Sequence, residues 1–157
     1  MSNQGVRGFY QITETIKNEL LQDQNINTVT TGDLSDINLG KQDIFPLGHI
    51  LVNSVTVGDQ TLTFNVNVLA MDIVNSSKVE PTDDFFIGNN NEQDILNTQL
   101  GVLNKLIQVL KRGDLFTSEY QVQDDVTCEP FFDRFENNLA GWSATIDIVI
   151  YNDITIC

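Results

Sequence analysis

Polar and apolar residues alternate most regularly between Thr61 and Val68: Leu62, Phe64, Val66 and Val68 take one side, and Thr61, Thr63, Asn65 and Asn67 the other. This period of two predicts a strand with one buried face. Before it, Ile50, Leu51, Val52, Val55 and Val57 form a second β-rich run, and Gly58-Asp59-Gln60 lies between as a short loop whose glycine can supply a positive φ. Together they predict a long hairpin within residues 44 to 74. Beyond Val68 the alternation fails, because Leu69, Ala70, Met71, Ile73 and Val74 place apolar groups on both faces. The distal half is therefore expected to be covered on both sides, by a helix of the same chain or by a neighbouring copy. A strand from Thr61 to Val74 would span roughly 46 Å at about 3.3 Å per residue, so part of it is expected to project beyond its own domain.

Two segments carry a helical period. Phe9, Ile12, Ile16 and Leu20 fall three or four apart and predict an amphipathic helix from about Arg7 to Gln22. Ile95, Leu96, Leu100, Leu103, Leu106, Ile107 and Leu110 form a wide apolar face on a second helix running from a cap near Asn91 to about Lys111, with Gly113 beyond its basic end. Between the helices and the hairpin, Ile26 to Thr31 reads as a short strand ended by Gly32-Asp33, and residues 33 to 43 read as a loop or a poorly regular edge. Phe45 before Pro46 is biased towards extended geometry. Residues 75 to 91 read as an excursion that docks Phe85, Phe86 and Ile87 on the rest of the molecule. A strand-prone run from Phe116 to Cys128 is expected to stop at Pro130. Residues 131 to 142 read as an aromatic corner, in which Phe131, Phe132, Phe135 and Trp142 form either a binding surface or a plug of core. Last comes a strand in which Ala144, Ile146, Ile148 and Ile150 alternate with Thr145, Asp147, Val149 and Tyr151. This order predicts an α+β fold, a mainly antiparallel sheet with a long β-hairpin packed by two helices, in one domain over 1–157.

Composition narrows the function. At 157 residues, with 41% hydrophobic and 19% charged residues, the chain has enough apolar material for a core without metal or disulfide staples. Eight Lys and Arg against 22 Asp and Glu give a net charge of −14, which disfavours binding to a phosphate backbone. The acid either keeps the protein soluble or faces a polyanion that must slide past without sticking. Cys128 and Cys157 lack any CxxC or Cys/His partner pattern and are expected to be reduced thiols. No apolar run of signal-peptide or transmembrane type occurs, so a protein made in the cytoplasm without membrane contact is expected.

The sequence offers little for catalysis. His49 is the sole histidine and has no triad motif around it, so a structural role is expected. Glycine patterns that cradle phosphate are missing, and the pairs Asp33/Asp36, Asp83/Asp84 and Asp124/Asp125 lack calcium-loop spacing and read as solvated turns. The expectation is a protein that is not an enzyme and holds no cofactor or metal.

Several stretches taken in order resemble tailed-phage neck and tail proteins of the tail-terminator type. They are the leading amphipathic helix, Phe45-Pro46-Leu47-Gly48-His49-Ile50 running into Asn53-Ser54, Val68-Leu69-Ala70-Met71-Asp72-Ile73-Val74, the helix from Ile95-Leu96-Asn97 to Leu110, and Phe135-Glu136-Asn137-Asn138-Leu139-Ala140-Gly141-Trp142 before the terminal strand. The resemblance implies a structural virion protein, made in the host cytoplasm, that forms a homo-oligomeric ring of six at the head-proximal end of the tail tube. Such a ring ends tube polymerisation and joins tail to head, touching the tube protein and neck or connector proteins while DNA passes through its lumen without specific binding. Subunit contacts are expected at Leu69, Met71, Ile73, Phe85, Phe86, Phe131 and Phe132, with the long hairpin meeting the next copy. The alternatives are a head-tail connector or head-completion ring protein, and an acidic binding module of the DNA-mimic kind.

Overall fold

A computed structural model describes residues 4–32, 44–74, 92–112, 121–122, 125–134 and 139–151. It is an α+β fold: helix α1 (Gln4–Leu21), strands β1 (Thr28–Thr31), β2 (Leu47–Val57) and β3 (Thr61–Ile73), helix α2 (Glu92–Arg112), and strands β4 (Cys128–Arg134) and β5 (Leu139–Tyr151). The five strands form one sheet in the order β1-β2-β3-β5-β4, antiparallel except for the parallel pair β1-β2.

The alternation in β3 decides the layers. Leu62, Phe64, Val66, Val68 and Ala70 face the main core, where they meet Ile146, Ile148 and Ile150 of β5 and the apolar stripes of both helices. In α1 that stripe is Ile12, Ile16 and Leu20, all buried, and each side chain of this kind removed from water contributes about 1.5–3 kcal/mol. Phe9 departs from the expected stripe: it is 51% exposed and stacks edge-on against the exposed Tyr10. In α2, Ile95, Leu103, Leu106, Ile107 and Leu110 are buried as expected, Leu100 is exposed, and Val102 and Gln99 join the buried face.

The hairpin differs from expectation in two respects. β3 does not project alone, since β5 pairs with it in unbroken register from Thr61↔Tyr151 to Ile73↔Leu139. The long strand is thus the centre of the sheet. Gly58 does not carry a positive φ; the turn closes with Gly58 N–H donating to Thr61 O at 2.8 Å, and the left-handed glycine is Gly32, where β1 ends. Phe45-Pro46 is a cis peptide leading into β2.

Pro130 does not stop a strand but lies within β4, opposite Trp142. β4 is at the sheet's edge, where the missing N–H removes no bond from an inner ladder. The aromatic corner is likewise resolved into strands, because Leu139 to Trp142 already belong to β5. The loops at 33 to 43 and 75 to 91, the cap at Asn91, Gly113, Phe135 and Cys157 lie outside the described residues. Of the run expected from Phe116 to Cys128, the described part holds an isolated bridge, Gln121↔Val149, and the first residue of β4. Among the described residues no helix is long and apolar enough to cross a membrane.

Candidate functional site

The face of the sheet turned away from the main core has two zones. Near the start of β2, Phe45, Leu47, Leu69, Met71, Phe131 and Leu139 form a second buried cluster, with Ile44 and Ile73 packed against it. Strand parity explains it: Leu47 pairs with Met71, Met71 with Gly141, and Gly141 with Phe131, while Leu139 lies two residues from Gly141 in β5, so four strands supply apolar groups to the same side. The outer face of the distal half of β3 is thus buried within one chain, although no residue of either helix belongs to this cluster. Leu69, Met71 and Phe131 are consequently not exposed apolar surface, and Ile73 is half-buried. Phe132 lies in β4, and Phe85 and Phe86 fall outside the described residues.

Phe131 and Trp142 do not share a patch. Being out of phase along the paired strands β4 and β5, they project to opposite faces, and Trp142 turns into the main core, where its Nε1–H donates to Leu96 O of α2 at 2.7 Å.

Towards the hairpin tip the same outer face becomes polar and open. Asn53 Nδ2 donates to Asn65 Oδ1 at 2.9 Å, and Asn65 Nδ2 donates to Asp147 Oδ1 at 2.8 Å, so one row of side chains runs across β2, β3 and β5. Asn67 Oδ1 accepts from Ser143 Oγ at 2.9 Å in the next row. A bulge between Val52 and Ser54 accompanies Asn53 in this row. The period of two predicts the polar face, whereas the links between strands depend on registers that no local pattern contains.

His49 is a node of the fold. It is fully buried in β2; its Nε2 lies 2.6 Å from Gly32 O and its Nδ1 2.8 Å from Thr30 Oγ1. A carbonyl only accepts, so Nε2 carries the hydrogen, and both ring nitrogens are engaged in tying the end of β1 to β2. Among the described residues Asp72 is the carboxylate whose ionisation is disturbed: burial pushes its pKa above the usual 3.8, partly offset by the Ile73 N–H, which donates to Oδ1 at 2.7 Å. Burial also pushes the Cys128 thiol up, away from the thiolate form that attacks electrophiles. No set of three or more His, Cys, Asp or Glu able to hold a metal ion occurs among the described residues. What the described surface offers is amides and hydroxyls in fixed rows, suited to contact.

The chain matches no protein-family model and no curated protein.

Proposed function

We propose that this chain is a structural protein of a phage virion, one subunit of a ring at the head-proximal end of the tail tube that ends tube growth and joins tail to head. Its carrying observation is the half of the sheet nearer the hairpin tip, whose outer face is open, hydrogen-bonded into rows and free of charge in its named side chains apart from Asp147. A pre-ordered polar face loses little conformational entropy on contact and suits repeated, geometrically defined packing. The ordered resemblance to tail terminators supplies the kind of assembly. The charge of −14 supports it too, since a negative lumen keeps DNA from adhering in transit. In this reading the chain is not an enzyme and its partners are its own copies, the tube protein and the connector.

Electron microscopy of tube protein polymerised with and without this chain tests the proposal. Shorter tubes with a ring of density at one end are expected; an unchanged length distribution and bare ends would overturn it. The same charge favours a second reading, an acidic module that occupies a basic partner. That reading requires salt-sensitive capture of a basic protein and no effect on tubes.

A further inference from the structure

The two edges of the sheet are not equivalent. On one side, β4 presents exposed Glu129 and Pro130, and beyond β4 the edge of β5 is met by Gln121, which exchanges two 2.9 Å backbone bonds with Val149. Charge, proline and a bridge all discourage a foreign strand there. On the other side β1 pairs with β2 only from Leu47 to Ile50, and Gly32 N–H closes that pairing on Ile50 O. Beyond it, no strand among the described residues pairs with the outer edge of β2. Gly58 N–H points to β3, so alternation turns the backbone groups of Val55 and Val57 away from β3, towards the open edge.

The side chains at this corner are also uncovered. Val55 and Val57 lie on the helix side, opposite the buried Phe64 and Leu62, yet are 41% and 72% exposed. Leu20 of α1 stands over Gly48, where an added Cβ would come within 3.2 Å of its Cδ1, and α1 also touches β5. The end of α1 thus sits over the start of β2, and Val55 and Val57 at the far end of the strand are left exposed.

We infer that two copies of this chain pair through the open edges of β2, antiparallel about a two-fold axis. Charge selects the second copy as occupant. Leu47–Val57 contains no Asp, Glu, Lys or Arg in a chain of net charge −14, so this strip lets two like-charged molecules meet without opposing carboxylates. Chemistry agrees with it. An antiparallel strand pair is self-complementary, and so is the amide of Asn53 at the end of the polar row, which after its bond to Asn65 keeps one N–H donor and its carbonyl acceptor for its equivalent. Among the described residues only one edge of the sheet is open in this way, so strand addition between copies is two-fold and does not itself build a ring. The inference holds independently of the ring proposed above.

Sedimentation equilibrium on the intact chain tests it. The expected mass is twice 17.6 kDa, and Val55→Lys and Val57→Lys are each expected to weaken association by about tenfold while keeping the parent's circular dichroism. A second measurement decides if either variant misfolds. With Cys128→Ser and Cys157→Ser in place, a short bis-maleimide should join Thr56→Cys into dimers and leave Lys17→Cys on α1 unjoined. A monomer at every concentration would overturn the inference, as would an oligomer that ignores both lysines and is not joined at position 56.

Discussion

Asp72 and Gln99 are positions where the fold works against a polar group. The carboxyl of Asp72 has its pKa raised by burial, so the folded state holds a proton that the unfolded chain has already released. This penalty is absent below the unfolded value, grows as pH rises through the interval up to the folded value, and stays at its maximum above it. Asp72→Asn, which retains an acceptor for the Ile73 N–H, is therefore expected to be more stable than the parent at neutral pH and to lose that advantage below about pH 4. Urea midpoints measured from pH 3 to 8 check the sign. Gln99 is 1% exposed and its Oε1 has no hydrogen-bond partner. A buried acceptor left unmade costs about 1–3 kcal/mol, so Gln99→Met should raise stability by about 1 kcal/mol in the same titration. Gly141 has the opposite character. A Cβ there would run into the carbonyl of Ala70 and stand 2.8 Å from Met71 Cα, both backbone atoms of β3 that cannot swing aside. Gly141→Ala is expected to cost about 3 kcal/mol by forcing β3 and β5 apart, with the loss read from the denaturation midpoint.

At the scale of elements, Trp142 joins layers that are distant in sequence. Its indole fills part of the main core and its N–H is bonded to a carbonyl inside α2, so it fixes where that helix sits along β5. Trp142→Phe keeps much of the apolar contact and forfeits the bond, for an expected loss of about 1–2 kcal/mol by thermal unfolding. The signals that were legible in the sequence were those carried by consecutive side chains: the period of two in β3 and β5, and the spacing of Ile12, Ile16 and Leu20. What could not be read depended on partners. Phe9 fits the helical stripe, but only the packing around it decides whether anything lies beneath it. Pro130 reads as a stop until β4 is known to be an edge strand, and the apolar Leu69 and Met71 could be assigned to a covering layer without revealing that Phe45, Phe131 and Leu139 share it. The open edge of β2 was illegible for the same reason. Nothing within Leu51 to Val57 records that β1 is only four residues long.

For the whole molecule the dominant quantity is charge. With 22 acidic and eight basic residues, few carboxylates can find a cation, and the one ion pair among the described side chains, Lys111–Asp125 at 3.3 Å, has its aspartate fully in solvent and contributes little. The compact state gathers acids that the unfolded chain spreads apart, so self-repulsion lowers its stability. Salt screens this: the Debye length falls from about 30 Å at 0.01 M to about 8 Å at 0.15 M. Raising NaCl over that range is expected to lift the thermal midpoint by about 2–4 °C, the shift associated with about 1 kcal/mol in a chain of this size. Association between copies should respond in the same direction, because the uncharged β2 edge brings two negatively charged bodies together and salt relieves the repulsion between them. A capture of a basic partner would respond in the opposite direction, weakening as the attraction is screened. Sedimentation equilibrium at both salt concentrations, alone and with a basic protein, therefore separates contact between like copies from electrostatic mimicry: self-association that strengthens with salt fits a strand-edge interface, and self-association that weakens with it excludes one.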